Sequence, residues 1–354
     1  MLSRRTTLLT GLATGAAALP WPARGQSQRL RVLAWPGYAE PEVVKGFEQS
    51  TGATVDLTVI DNDESLRRHL QRDGSASVDV VALNTAELQR AARAGLVQAV
   101  DLKRLPNASR QLPRFQKHAA IPGLLLPRDG KTELMGLPFT FADMGLIYDR
   151  RQLPSPPDSI NALWEPRWRG KVLAYNGASH NFSLAALSLG LQTPFRLAPA
   201  DWPRAVERLI ELRRNVLGFS GQPDESVRLF LRHGAALMFA NYGTQQLRLV
   251  KEAGVDAGYA IPREGALAWL DCWAITRRAS APDLAHAWID HLLGTQASRL
   301  LVERQGLANT TEEAGGSPAS AKLYWLEPEE DVARRETLWA RIRSGDRAAK
   351  VLAP

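Results

Sequence analysis

Apolar and polar positions alternate in two distinguishable rhythms along this chain. Arg29–Trp35 (RLRVLAW) reads as a strand with Leu30, Val32 and Leu33 apolar, and Pro36-Gly37 turns it. Glu40–Thr51 places Val43, Val44 and Phe47 at helical spacing, and Gly52 stops it. Ala53–Ile60 alternates as a strand, Ser65–Gln71 is a short amphipathic helix, Val78–Leu83 a buried strand and Glu87–Ala94 a helix closed by Gly95. Such strand–helix alternation predicts a mostly parallel sheet with helices on both faces.

The pattern weakens over residues 101–135, which are rich in proline and charge, and Leu96–Leu102 reads as a loop. Gly136–Phe139 then leads into a strand, Met144–Tyr148. Pro154–Trp168 reads as a loop, and a second alternating unit follows. Its expected strands are Lys171–Tyr175, Ala236–Ala240, Ala257–Ile261 and Cys272–Thr276. Its expected helices are Asn181–Leu191, Trp202–Asn215, Asp224–His233 and Thr244–Ala253, followed by Asp283–Leu293, Ala297–Gln305 and Val332–Ser344. Two successive α/β units predict two lobes, and ligands of open α/β sheets sit beyond the strand carboxyl ends.

Residues 1–25 follow neither rhythm. Arg4-Arg5 precede an uncharged run from Thr6 to Leu19, Pro20 and Pro22 break it, and Ala23-Arg24-Gly25 offers small residues for cleavage. That is the layout of a secretory signal, with partial likeness to a twin-arginine signal. Its apolar run of 14 residues is shorter than the ~20 that span a bilayer. We expect a bacterial periplasmic protein with the leader removed.

Composition narrows the function classes. The 354 residues are 45% hydrophobic and 23% charged, which is ordinary for a globular chain. The net charge of +7 falls to +4 once Arg4, Arg5 and Arg24 leave. The basic pairs Arg67-Arg68, Arg213-Arg214 and Arg334-Arg335 are scattered, so no basic face for nucleic acid is expected. The single cysteine, Cys272, excludes an intramolecular disulfide. The nearest histidines, His286 and His291, are five apart and do not share a helical face, so no metal site is expected. The sequence holds no G-x-S-x-G, G-x-x-x-x-G-K, G-x-G-x-x-G or H-E-x-x-H, and no cofactor is implied. Cys272 beside Asp271 is the one conceivable nucleophile, set against a small buried strand residue.

Aromatics carry more information. Trp35 and Tyr38 flank the Pro-Gly turn, Phe239 and Tyr242 flank another strand end, and Trp269 lies two residues before Asp271. Indole faces attract ammonium groups by ~0.5–2 kcal/mol, and a buried carboxylate requires an opposite charge.

Four segments resemble the bacterial polyamine-type (spermidine/putrescine) solute-binding proteins of ABC importers. They are RVLAWPGYAEPEVVKGFEQSTGATV, VDVVALNTAELQRAARAGLVQAVDL, LWEPRWRGKVL and AWLDCWAI, in the family's order. The resemblance spans about residues 29–345 and implies an α/β, two-lobed type II periplasmic-binding-protein fold with a hinge between the lobes. It places the first lobe at 28–137 plus 272–303 and the second at 138–271 plus 304–354. It implies a monomeric receptor that performs no chemistry and delivers an amine-bearing small molecule to an inner-membrane permease. Trp35 and Tyr38 match the family's aromatic wall, Asn84 falls where a serine contacts an amine and Thr85 follows it, and Trp269 and Asp271 match the ammonium-binding pair.

The departures are specific. His180 stands where a glutamate grips a second amine, Phe239-Ala240-Asn241-Tyr242-Gly243 replaces a W-x-G-D or W-N-G segment, and Leu307 replaces a tyrosine. A second ammonium group then needs Asp143 or Glu87, or else the ligand carries one cationic centre, as a mono-amine, amino-acid derivative, opine, betaine or thiamine would. His180 and Tyr242 are the polar groups expected to face such a ligand. Ferric-binding relatives use adjacent tyrosines, and this chain has no Tyr-Tyr pair.

Overall fold

The computed structural model describes residues 28–60, 63–71, 78–128, 130–312 and 321–353. The expected leader, 1–25, lies outside the described residues.

The first unit contains β1 (Arg29–Ala34), α1 (Pro41–Thr51), β2 (Thr54–Val59), α2 (Asp63–Leu70), β3 (Val80–Asn84) and α3 (Thr85–Arg93). Strand β1 pairs in parallel with both β2 and β3, as the alternation requires. Pro41 at the start of α1 sets a helical φ, and Gly52 closes that helix at φ 70°. The weak stretch that follows holds β4 (Val97–Gln98), short turns, α4 (Pro113–Gln116) and a hairpin of β5 (Leu125–Arg128) and β6 (Lys131–Leu134).

The expected lead-in before Met144 is a strand in its own right. All eight residues of β7 (Leu137–Met144) are buried, and a separate β8 runs from Leu146 to Asp149. The chain leaves one strand for the other at Gly145, where a Cβ would lie 2.7 Å from the Ala260 carbonyl. The second unit continues with β9 (Val172–Tyr175), α5 (Ala178–Ser188), α6 (Trp202–Asn215), β10 (Val216–Ser220), α7 (Pro223–His233), β11 (Leu237–Phe239), α8 (Thr244–Glu252) and β12 (Ala257–Ala260). Helix α5 starts three residues before the expected Asn181, because the Asn181 carboxamide donates back to the Tyr175 and Gly177 carbonyls (2.7 and 2.9 Å) from inside the first turn.

The chain returns through β13 (Ala266–Thr276), α9 (Pro282–Leu292), α10 (Thr295–Gln305), β14 (Ala308–Asn309), β15 (Leu323–Trp325), α11 (Val332–Arg343) and α12 (Ala348–Val351). The strand expected from Cys272 begins six residues earlier and carries Trp269 and Asp271 within it. The first sheet runs β14-β7-β13-β3-β1-β2, with β15 and β4 also on β13. The second runs β10-β9-β11-β8-β12.

Each sheet has its own core. Leu33, Val81, Trp273 and Trp288 fill the first, and Leu146, Val172, Phe182 and Trp339 fill one face of the second. Ile147, Phe230, Met238 and Val250 cover the second sheet's other face. Core membership changes within β7, between Phe141 and Met144, and within β13, between Leu267 and Leu270. Two neighbouring strands therefore carry the chain between the sheets.

Candidate ligand-binding site

The site builds from β13. Side chains alternate along a strand, so Trp269 and Asp271 share one face and Leu270 and Cys272 the other. Asp271 lies opposite Asn84 of β3 and Thr140 of β7. The turn after β1 brings Tyr38 over this face, and its hydroxyl donates to Asp271 Oδ2 at 2.6 Å. Gly37 makes the turn possible: its φ is +79°, and a Cβ there would meet Gln305 Cδ at 2.4 Å. Tyr38 is 6% exposed and Asp271 5%. Burial, and then the charge of Asp271, push the Tyr38 phenol well above its ordinary pKa, so it stays a donor. Half-buried Trp35 packs beside Tyr38 against the first core.

A second group comes from the other sheet. The rings of Tyr175, at the end of β9, and His180, in α5, meet edge-on at 5.1 Å. Tyr175 also meets Tyr242 at 6.2 Å. The Tyr242 hydroxyl donates to the Gly221 carbonyl at 3.0 Å. Burial lowers the His180 pKa to about 4, against a smaller upward pull from Glu329, so the imidazole is neutral at pH 7. Trp269 joins the two groups. Its ring packs against both cores, and its Nε1 donates to the Asn241 carbonyl at 3.1 Å.

Three expected site residues sit elsewhere or are engaged in the fold. The Asn84 side chain caps α3, accepting from the Glu87 amide at 2.9 Å. Thr85 is fully buried and donates to the Leu326 carbonyl. Phe239 is 2% exposed in the second core, because its side chain alternates inward on β11. Leu307 is likewise a core residue.

Both candidates for a second carboxylate are engaged within the fold. Glu87 pairs with Arg67 and Arg90, and Arg90 also pairs with Glu329. Asp143 lies opposite Ala268, on the other side of β13 from Trp269 and Asp271, and accepts from Tyr259. Cys272 is fully buried, and burial followed by the Asp271 charge pushes its thiol well up, so it offers no accessible thiolate. Among the described residues, no cluster of three or more His, Cys, Asp or Glu could hold a metal. A surface hollow of about 510 Å³ beside α1 and α9 holds Asp290 and His291, but Asn107 and the Val43 carbonyl already engage them.

Contacts between the two units close the rim. The first turns of α8 donate into the C-terminal carbonyls of α10, which have no partners within their own helix. Gln245 Nε2 reaches Gln305 O at 2.9 Å, and Arg248 Nη1 reaches Glu303 O at 2.6 Å.

A two-lobed α/β frame with a buried carboxylate, a phenol and indoles between its sheets matches a known family. The model for "bacterial extracellular solute-binding protein" fits residues 42–324. The chain belongs to that family. It is 26% identical to the spermidine/putrescine-binding periplasmic protein 1 of Haemophilus influenzae over 80% of this chain and 75% of that one. It is also 26% identical to the putrescine/agmatine-binding protein of Pseudomonas aeruginosa over 96% and 97% of the two chains. The Tp0655 (TpPotD) lipoprotein of Treponema pallidum superposes with a TM-score of 0.72 at 16% identity, covering 90% of this chain and all of that one. The fold is therefore that of periplasmic binding proteins. Among the described residues, no helix is long and apolar enough to cross a membrane.

Sequence reasoning missed Tyr175 and Asn241. Asn241 stood inside the quoted 239–243 segment, but only that segment's aromatics were read as chemistry.

Proposed function

We propose that the chain is the periplasmic receptor of an ABC importer and binds an organic ammonium ion between its lobes. The observation that carries this reading is the buried Tyr38–Asp271 pair, with Trp35 packed on the core beside it and Trp269 on the same strand face as Asp271. Asp271 meets the ligand's charge, Tyr38 orients the carboxylate, and the indole faces replace the water the ammonium loses. His180, Tyr175 and Tyr242 form the opposing wall. The receptor performs no chemistry.

The lobes hinge where β7 and β13 pass between the cores, near 142–145 and 267–269. Closure brings α8 onto α10 and presents the closed form to a membrane permease. The leader is removed on export, and the receptor acts as a monomer. Polyamine names among the relatives support an amine ligand, as do the four motifs and the single carboxylate on the cleft face. Tryptophan fluorescence tests the reading: addition of agmatine, putrescine or N-acetylputrescine should perturb the emission of Trp35 and Trp269 saturably. An emission unchanged by every amine up to millimolar concentration would overturn it.

A further inference from the structure

Besides β7 and β13, a third segment joins the two units. The chain after β15 leaves the hinge strand where the Leu326 amide donates to the Ala268 carbonyl at 2.9 Å, and it runs on to α11. Trp325 packs on the first core, whereas Tyr324 and Leu326 pack on the second. On the first lobe this strap meets α3: the Thr85 hydroxyl donates to the Leu326 carbonyl, and Arg90 Nη2 pairs with Glu329. On the second lobe it meets α11 and α5. Glu330 accepts from fully buried Arg335 at 3.1 and 2.9 Å, and the same guanidinium donates to Ser179 O and Ser183 Oγ, both at 2.9 Å. The Ser179 hydroxyl in turn hydrogen-bonds the Glu329 carboxylate.

The two helices joined in this way stand behind the two walls of the cleft. Helix α3 is capped by Asn84, which lies opposite Asp271 in the sheet, and α5 carries His180 directly after Ser179. The ion pair between them can part without stranding a charge. Arg90 is a fork whose Nη1 holds Glu87 of its own helix at 2.5 Å while Nη2 reaches across to Glu329. Glu329 keeps its Ser179 hydrogen bond on the second lobe. Opening thus avoids the large penalty of leaving a buried ion without a partner. With the Glu329 side chain 13% exposed and Arg90 28%, the formed pair is screened less than one at the surface. Burial pushes the Glu329 pKa up, but Ser179 and Arg90 outweigh it and hold the carboxyl below its usual range, so the pair is ionised at neutral pH. Glu329 stands three residues, at most about 10 Å of chain, beyond the hinge contact at Leu326. Rotation of the second lobe therefore moves it relative to Arg90 while Leu326 stays on Thr85.

We propose that Glu329 is a positioning residue for ligand retention: by joining Arg90 of the first lobe to Ser179 of the second, it clasps the helices behind the two walls when the cleft closes. This rests on the receptor reading above, and it is separate from the α8–α10 contact at the rim. Glu329 acts through those helices and sets how long a bound amine stays.

Stopped-flow fluorescence of the purified protein with putrescine and with agmatine tests this. Glu329→Gln, which removes the charge and keeps the shape, should raise the ligand dissociation rate by about 3–10-fold. Arg90→Lys keeps a charge for Glu87 but gives up the fork, and should speed release similarly. The double variant should release no faster than the faster single variant, because both substitutions remove one contact. The melting temperature of ligand-free Glu329→Gln should stay within about two degrees of wild type, whereas that of the ligand-bound variant should fall. Unchanged release in both single variants, additive effects in the double, or a ligand-free melting temperature that falls as far as the ligand-bound one would overturn the proposal and leave the receptor reading in place. A wild type that binds no amine would overturn both. Arg90→Lys decides should Glu329→Gln fail to fold.

Discussion

Replacing Asp271 by asparagine removes one negative charge and little else. The side chain keeps its volume, and an amide oxygen can still accept from the Tyr38 hydroxyl that now lies 2.6 Å from Oδ2. The site around it is dry, with Asp271 at 5% exposure and Tyr38 at 6%. Desolvated charge pairs of this kind cost about 2–5 kcal/mol when one partner is neutralised. That corresponds to a loss of about 30-fold to several thousandfold in amine affinity. Titration calorimetry with N-acetylputrescine and putrescine, on wild type and Asp271→Asn, reads the loss directly, and a melting scan confirms that the variant is folded. Folded Asp271→Asn that retains affinity within about threefold would refute the assignment of Asp271 as the ammonium partner. Tyr38→Phe separates the hydrogen bond from the charge: it removes a donor from a buried carboxylate, so affinity should fall less than in Asp271→Asn.

Further expectations concern closure, acid stability and the cysteine. Arg248→Ala removes the α8 hydrogen bond to the Glu303 carbonyl. This should raise the ligand dissociation rate by about 2–10-fold in stopped-flow fluorescence, and an unchanged rate would exclude a latch there. His180 is held near a pKa of about 4 when folded, against an ordinary value of 6.5. The unfolded chain therefore binds the extra proton between those values, and this contribution is present above pH 6.5 and lost as pH falls toward 4. His180→Asn should flatten that acid limb of a melting-temperature profile, by up to about 2–3 kcal/mol in stability, while an identical profile would contradict a neutral imidazole there. Cys272→Ser should leave amine affinity unchanged, and thiol reagents should fail to label the folded protein. Rapid labelling, or loss of binding, would give the thiol a role it lacks here.

Much of the first lobe was legible because local signals and tertiary structure agree there. Pro41 starts α1 and Gly52 ends it, and the apolar run Val80–Leu83 is buried throughout, as a central parallel strand must be. The reading faltered where burial on both faces erased alternation. Strand β7 has no polar-out rhythm across its eight buried residues, and the strand expected from Cys272 missed the first six residues of β13 for the same reason. Short β10, β14 and β15 have too few residues to show a period, and they form by pairing with strands far away in sequence. The juxtaposition of Trp269 and Asp271 was legible because they sit two apart on a strand and therefore share a face. Thr85 and Phe239 looked the same in sequence, but their partners, the Leu326 carbonyl and the second core, lie far along the chain. Asn241 left no sequence signal, since a carbonyl that accepts from Trp269 becomes visible only once its neighbours are placed.

The central claim is that this cleft holds an organic ammonium ion on Asp271. The most direct test is a thermal-shift comparison of the wild type and Asp271→Asn. The panel comprises N-acetylputrescine, putrescine, agmatine and spermidine, together with 1,4-butanediol and succinate as uncharged and anionic counterparts. At a hundredfold excess over its dissociation constant, a true ligand stabilises by ~2.7 kcal/mol, a shift of about five degrees or more. The account predicts such a shift for at least one amine, none for the diol or the diacid, and its disappearance in Asp271→Asn. A shift produced by succinate, or an amine shift that survives the substitution, would contradict it.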